Sequence, residues 1–157
     1  MVKKIEIRMD NQLKALITKY KKTYIDTSLY IFIFNKDVEL YPTSAFIVDT
    51  LIKQNKPIVS SAITLAELLA KKQIQTNFAV RESIKLRYQN VPNLEIVNVD
   101  IYLAELAASL RVKYCLKLPD ALHLATAILT ECDLFVCGDK HFKKVKEVDV
   151  LNIYDLL

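Results

Sequence analysis

Glycine is nearly missing from this chain: of 157 residues only Gly138 is one. Loops that cradle phosphates with successive glycine backbones are thereby excluded, and neither G-x-G-x-x-G nor a Walker motif occurs. The three cysteines, Cys115, Cys132 and Cys137, are odd in number and contain no C-x-x-C pair. That argues against a disulfide framework or a cysteine-held metal, and for buried or reduced thiols in a cytoplasmic protein. No apolar run approaches a membrane-spanning length, so no membrane association is expected. The first eight residues, Met1-Val2-Lys3-Lys4-Ile5-Glu6-Ile7-Arg8, alternate in charge and lack the apolar core of a signal peptide.

What remains is a globular composition, 52% apolar and 25% charged, in a chain long enough to bury a core as one domain. The net charge of +4 is unevenly spread. Residues 1–22 hold seven Lys or Arg against Glu6 and Asp10, whereas the remainder has 15 basic and 16 acidic residues. Such a segment is either a solvated lysine-rich surface or a phosphate-attracting one.

Extended and helical patterns alternate, without repeats or linkers. A strand over residues 2–8 and a short helix over 10–21 are expected first. Thr23-Tyr24-Ile25 reads as a buried strand ending at Asp26-Thr27-Ser28, and Leu29 to Phe34 is helix or strand by pattern alone. A helix over 43–55, a strand over 57–60 and a helix capped by Ser61 follow. Next come a basic helix over 77–89, a strand over 94–97 and a helix capped by Asp100 that runs to about Val112. A helix starting at Pro119 follows. A strand over 134–137, stopped by Gly138-Asp139, then precedes a helical turn and a short strand near Val150. This alternation implies βαβ units and a parallel sheet covered on both faces. Ligands of such sheets bind beyond the carboxyl ends of the strands, where Asp26 and Asp139 fall.

Two helices are almost wholly apolar, and each carries one carboxylate. Ser61-Ala62-Ile63-Thr64-Leu65-Ala66-Glu67-Leu68-Leu69-Ala70 contains Glu67, and Leu118-Pro119-Asp120-Ala121-Leu122-His123-Leu124-Ala125-Thr126-Ala127-Ile128-Leu129 contains Asp120. A helix apolar all round is a buried helix, and a carboxylate inside it needs a cation. Taken singly, Asp26 and Asp139 read as caps, and Asp120 as a first-turn acid favoured by the helix dipole. Glu67 lies beyond the first turn and has no such explanation. Together the four acids suit Mg²⁺ or Mn²⁺, hard cations that bind oxygen and phosphate. Such a metal lowers the pKa of bound water and steadies the leaving oxygen of a phosphodiester.

Other residues invite weaker functional readings. His123, three residues after Asp120, is near the same helix face, yet reads first as a histidine hydrogen-bonded within an apolar helix. His141 is expected to be exposed beside the site. The 77–89 helix and Lys140, Lys143, Lys144 and Lys146 are equally solvated faces or tracks for an RNA backbone. Asp100, Glu131 and Asp133 read as caps or surface charges.

A phosphatase of the haloacid-dehalogenase type would need Asp-x-Asp where Asp26-Thr27-Ser28 stands. A response-regulator receiver would not place an acid inside a helix as at Glu67. The arrangement resembles the PIN domain family, most closely its VapC-type toxins. The matching segments are Tyr24-Ile25-Asp26-Thr27-Ser28, Ser61 to Leu68 around Glu67, Leu118 to Ala127 around Asp120, and Leu134-Phe135-Val136-Cys137-Gly138-Asp139-Lys140-His141-Phe142. The resemblance covers residues 23–157 and implies a three-layer α/β/α fold, with a central parallel sheet flanked by helices.

It implies a metal-dependent endoribonuclease in which Asp26, Glu67, Asp120 and Asp139 are the catalytic and metal-binding acids, with Ser28 in support. Mg²⁺ or Mn²⁺ would be the cofactor, RNA the substrate, a homodimer the assembly and an antitoxin the partner. A housekeeping PIN nuclease of RNA processing or decay, and a non-catalytic PIN-like scaffold for RNA or protein, are the alternative functions. Two features depart from the family pattern. Residues 1–22 form a basic extension without counterpart in the minimal toxin, and Lys140-His141 follow Asp139 where an acidic residue is common.

Overall fold

The computed structural model describes the backbone of residues 2–157 and the side chains from residue 10 onward. Five short strands build one sheet: β1 (Thr23–Ile25), β2 (Ile58–Ser61), β3 (Leu94–Val97), β4 (Leu134–Cys137) and β5 (Asp149–Asn152). Their order is β3-β2-β1-β4-β5, and every neighbouring pair is parallel. The expected three-layer α/β/α architecture is the one present.

Side-chain alternation divides the core in two. Tyr24, Val59 and Phe135 point to one face, where they meet Leu103, Ala107 and Leu110 of α7 (Ile101–Tyr114) and Ala121, Leu124 and Ala125 of α8 (Leu118–Leu129). Ile25, Ile58, Leu134 and Val136 point to the other. That face is covered by α1 (Val2–Thr18), α2 (Thr27–Phe34), α3 (Tyr41–Lys53), α4 (Ala62–Leu69) and α6 (Phe78–Gln89), through Ile17, Leu29, Ile47, Leu51, Leu68 and Tyr88. A period of two in the strands thus feeds both layers, as a doubly covered parallel sheet requires. Tyr24 stacks on Phe135 at 5.0 Å between centroids, which locks β1 to β4 on the α7/α8 side.

From β1 the chain moves outward through β2 to β3, then returns to the other side of β1 for β4 and β5. The connections therefore diverge between β1 and β4, and a crevice opens there at the carboxyl ends of the strands. Asp26 follows β1 and Gly138-Asp139 follow β4, so both acids stand at that crevice. Asp26 and Asp139 also cap, accepting from the amides of Ser28 and His141. Asp100 caps α7 through the Leu103 amide, and Asp133 accepts from the Lys21 and Lys22 amides just ahead of β1.

Several expectations need correction. The strand expected over 2–8 is helical: α1 runs Val2–Thr18, and the short helix expected over 10–21 is its second half. No glycine or proline separates the two segments, and Lys, Glu, Arg, Met and Leu all favour helix. Alternation over seven residues was too short to outweigh them. The second half of α1 packs on the sheet's helical layer, with Ile17 fully buried and Leu13 beside it. Lys3, Lys4 and Arg8, part of the basic extension, lie outside the residues whose side chains are described. The helix α5 (Lys72–Gln75) had no signal beyond a gap between patterns. Cys132 and Cys137 are buried as expected, their thiols pushed up by burial to about 11 and about 12, but Cys115 is exposed.

With a single glycine in the chain, left-handed positions among the described residues fall to Lys36, Asn55, Asn93, Cys115 and Glu131. Cys115 ends α7 at φ 55°, the place glycine most often takes. A side chain there costs about 1–2 kcal/mol in strain, partly offset because glycine loses more freedom on folding. Cys115→Gly is therefore expected to raise the unfolding free energy by about 0.5–1 kcal/mol. Urea denaturation checks this, and a loss of stability would show that the Cys115 side chain contributes more than its strain.

Candidate functional site

Asp26 is only 7% exposed. Its Oδ2 accepts from the Ser28 amide at 3.2 Å and from the Ser28 hydroxyl at 2.7 Å. Ser28 Oγ accepts in turn from the Gly138 amide at 2.8 Å. The serine therefore ties the end of β1 to the end of β4 and fixes one oxygen of Asp26. Ser28, expected from the sequence to support the site, is placed at this tie between two strand ends. The lone glycine serves the same junction. A Cβ at Gly138 would stand 3.0 Å from the Phe32 ring and 3.3 Å from Ser28 Cβ, and its φ is not positive. Close approach, not backbone freedom, explains this glycine.

Glu67 and Asp120 sit differently from expectation. α8 is indeed buried along residues 121–127, but α4 is not buried all round: Thr64 and Leu68 face the core while Ala66 and Ala70 are exposed. Glu67 is half-buried with its side chain 32% exposed. The short side chains of alanine leave that helix face open, although they count as apolar in a sequence pattern. Asp120 is half-buried too, at the first turn of α8.

The cation that Glu67 needs is His123. This imidazole is 1% exposed; its Nε2 lies 2.9 Å from Glu67 Oε2 and its Nδ1 lies 2.6 Å from the Tyr24 hydroxyl. Thr27 Oγ1 donates to the same Glu67 oxygen. Burial alone would lower the imidazole, but the Glu67 hydrogen bond and the charges of Asp26, Glu67 and Asp120 overcome it, and His123 is raised above its ordinary value. Burial pushes Glu67 up, yet His123 and Thr27 outweigh it and hold the carboxyl below its ordinary value. Both shifts favour the ionised pair, and Asp26 Oδ1 lies 3.9 Å from the same Nε2. Sequence reasoning named His123 as a neighbour of the site but did not foresee this pairing, and it missed Thr27 and Tyr24. The i, i+3 spacing from Asp120 was the available signal.

Asp120 has the opposite environment. Its carboxyl is raised by burial first, then by Asp139, Asp26 and Glu67, with only His123 opposing. Asp139 Oδ1 is engaged by the amide and by Nδ1 of His141 at 2.8 and 2.7 Å. His141 is exposed beside Asp139, as the sequence suggested. All four acids thus share one electrostatic neighbourhood, with His123 as its buried cation. The oxygens left without a protein hydrogen bond among the described residues are Asp26 Oδ1, Glu67 Oε1, Asp139 Oδ2 and both of Asp120. Hard oxygen donors and mutual repulsion fit a divalent cation in charge and donor type. No three His, Cys, Asp or Glu side chains among the described residues form a ready-made ligand cage.

Comparison with known proteins places these observations. The family model described as PIN domain matches residues 23–148. A chain of a toxin–antitoxin complex from Klebsiella pneumoniae is similar in fold (TM-score 0.62, 23% identity, 83% of this chain and 96% of that one). So is a chain of VapBC2 from Rickettsia felis, bound there to a DNA fragment from its promoter (TM-score 0.63, 21% identity, 83% and 98%). VapC20 from Mycobacterium tuberculosis, a toxin described as cleaving the sarcin–ricin loop, is a third (TM-score 0.59, 18% identity, 81% and 98%). At such identities the likeness is one of fold. No curated protein sequence matches the chain.

The His123–Glu67 pair gives metal-free protein a bounded pH dependence. Glu67, depressed on folding, contributes stability above its ordinary 4.5 and loses it as pH falls through the lower folded value. His123, raised on folding, contributes below its ordinary 6.5 and loses it as pH rises through the higher folded value. In EDTA, the stability difference between wild type and Glu67→Gln is expected to peak between 4.5 and 6.5 and shrink on either side. Urea melts across pH measure it; a flat difference would mean that the pair is not ionised.

Proposed function

Because the chain belongs to the PIN domain family, we propose that it is a metal-dependent endoribonuclease that hydrolyses RNA phosphodiester bonds, and the toxin of a toxin–antitoxin pair. The observation that carries this is the gathering of Asp26, Glu67, Asp120 and Asp139 at the carboxyl edge of the sheet, where burial and then the charges of the other three raise the Asp120 carboxyl. Such crowding has no structural benefit on its own, and a divalent cation relieves it. Asp26, Glu67, Asp120 and Asp139 are the residues to hold Mg²⁺ or Mn²⁺, each with an oxygen free of protein donors among the described residues. When bound, such an ion neutralises phosphate charge and acidifies a water.

The chain's own groups have distinct tasks. Ser28 holds Asp26 Oδ2, so that Oδ1 faces the site in one orientation. Glu67 is fixed through Oε2 by His123 and Thr27, which leaves Oε1 to orient a ligand or water. A carboxyl held below its ordinary range is a poor proton acceptor, so Glu67 works as a fixed anion. Behind them, the buried face of α8 keeps water from the back of the site. The toxin–antitoxin complexes among the similar folds support an antitoxin partner, and the proposal takes the protein as a homodimer in the cytoplasm. No helix among the described residues is long and apolar enough to cross a membrane. Residues 1–22 serve in this scheme as a basic extension to a nuclease domain of residues 23–157. The absence of a ready-made cage is the one observation that favours a non-catalytic scaffold.

Cleavage of a panel of structured RNAs with Mg²⁺ or Mn²⁺ decides between them. Asp26→Asn and Asp120→Asn are expected to lose about a hundredfold or more in rate. Saturating Mn²⁺ is expected to raise the melting temperature of wild type by about 5 °C or more, and that of Asp120→Asn by much less. Variants that cut like wild type, or a melting temperature indifferent to Mn²⁺, would leave the scaffold in place.

A further inference from the structure

The chain just beyond Glu67 differs from the rest of the surface. From Leu68 to Arg81 the sequence is LLAKKQIQTNFAVR, with three cations and no acid. From residue 70 to residue 80 every residue but Ile74 is exposed. Among the described residues, neither Lys71 nor Lys72 has an ion-pair partner. Phe78, at the first position of α6, is 70% exposed. Arg81 lies over its ring at 5.4 Å. Phe78, Arg81 and Lys85 fall at i, i+3 and i+7, on one side of the helix. The single acid among them, Glu82, is shared by Arg81 and Lys85 at 3.6 and 3.8 Å.

Folding does not account for these features. A phenylalanine this exposed contributes little apolar burial, and cations placed together repel. An acidic edge also repels the phosphates it would act on, so a polyanionic strand must be gripped by cations beside it. An exposed aromatic ring with a guanidinium is the usual platform for an unstacked base, and lysines track the backbone. The lysines after Asp139 suit this less, because Lys143 is paired with Asp155 and Glu147 and Asp149 stand close in sequence.

We propose that residues 70–85, formed by α5 and the first half of α6, are the surface on which a single-stranded nucleic acid is held beside the acidic edge. Lys71 and Lys72 meet phosphates, and Phe78 stacks on a base with Arg81 behind it. The inference rests on the ribonuclease reading and names where that enzyme grips its substrate.

The test is fluorescence anisotropy with a labelled 2′-O-methyl oligoribonucleotide in EDTA, over a range of salt. For Lys71→Ala/Lys72→Ala the slope of log K against log salt should flatten by about 1.4, two single-strand phosphates at about 0.7 each. Phe78→Ala should bind about tenfold more weakly with its slope unchanged, and Phe78→Tyr should restore the affinity. All three positions are exposed, and unchanged melting temperatures confirm that the variants fold. Wild-type affinity and slope in every variant would overturn the inference. Tight binding of polyglutamate instead, lost in the same variants, would overturn it in favour of a protein-docking face. Parallel cleavage assays with Mn²⁺ separate the two failures. Cleavage with unaltered binding by the variants sinks the proposed surface alone, whereas wild type that neither binds nor cuts sinks both.

Discussion

The buried imidazole of His123 is the constraint on which the site depends. It is donated by α8, held by Tyr24 from β1, and paired with Glu67 from α4, while Thr27 from α2 closes on the same carboxylate. Four elements from both sides of the sheet therefore meet at one ring. Among the described residues it is the only buried side chain able to carry a positive charge, and it opposes the repulsion felt by Asp120. Removing one partner of such a pair leaves the other desolvated, which is why buried pairs specify geometry more than they add stability. Here the geometry specified is the orientation of Glu67.

A second constraint works through space. The ends of β1 and β4 must approach closely enough for one serine hydroxyl to reach both Asp26 and the Gly138 amide. Any side chain at residue 138 would crowd Phe32 and Ser28. This explains why a chain that tolerates Lys, Asn, Cys and Glu at left-handed positions keeps its one glycine at a position of ordinary φ. Conformational strain is distributed over turns and helix ends, and room is reserved for the junction of the two acids.

How much of this was legible in the sequence follows from the range of each interaction. β1, β3 and β4 fell on their expected residues because short β-rich runs were bounded by Asp26, Asn93 and Gly138-Asp139. The caps Asp26, Ser61, Asp100 and Asp139 were legible because a cap acts within two or three residues. The four acids could be placed at one edge because strand ends and helix starts in a parallel sheet share that edge. The His123–Glu67 pair was not legible: its members are 56 residues apart, and nothing local marks a histidine that faces a carboxylate across two helices. The burial of Glu67 was overestimated for a related reason. Hydrophobic pattern counts alanine as apolar, but Ala66 and Ala70 cover too little surface to seal their side of α4.

The charge distribution then orders the molecule along one direction. The sheet edge concentrates carboxylates whose repulsion is only partly answered from within, by His123 at the back. A cation bound at the front would complete that compensation, since the unengaged oxygens of Asp26, Asp120 and Asp139 belong to the same neighbourhood. A polyanion could approach such an edge only if its charge were neutralised both there and alongside. The acid-free stretch after Glu67 begins within five residues of that carboxylate and emerges from the same helix. The buried imidazole, the carboxylate edge and the flanking lysines thus alternate in sign from the buried back of the site to the solvent. A phosphodiester is the kind of ligand whose charge and extent match that alternation.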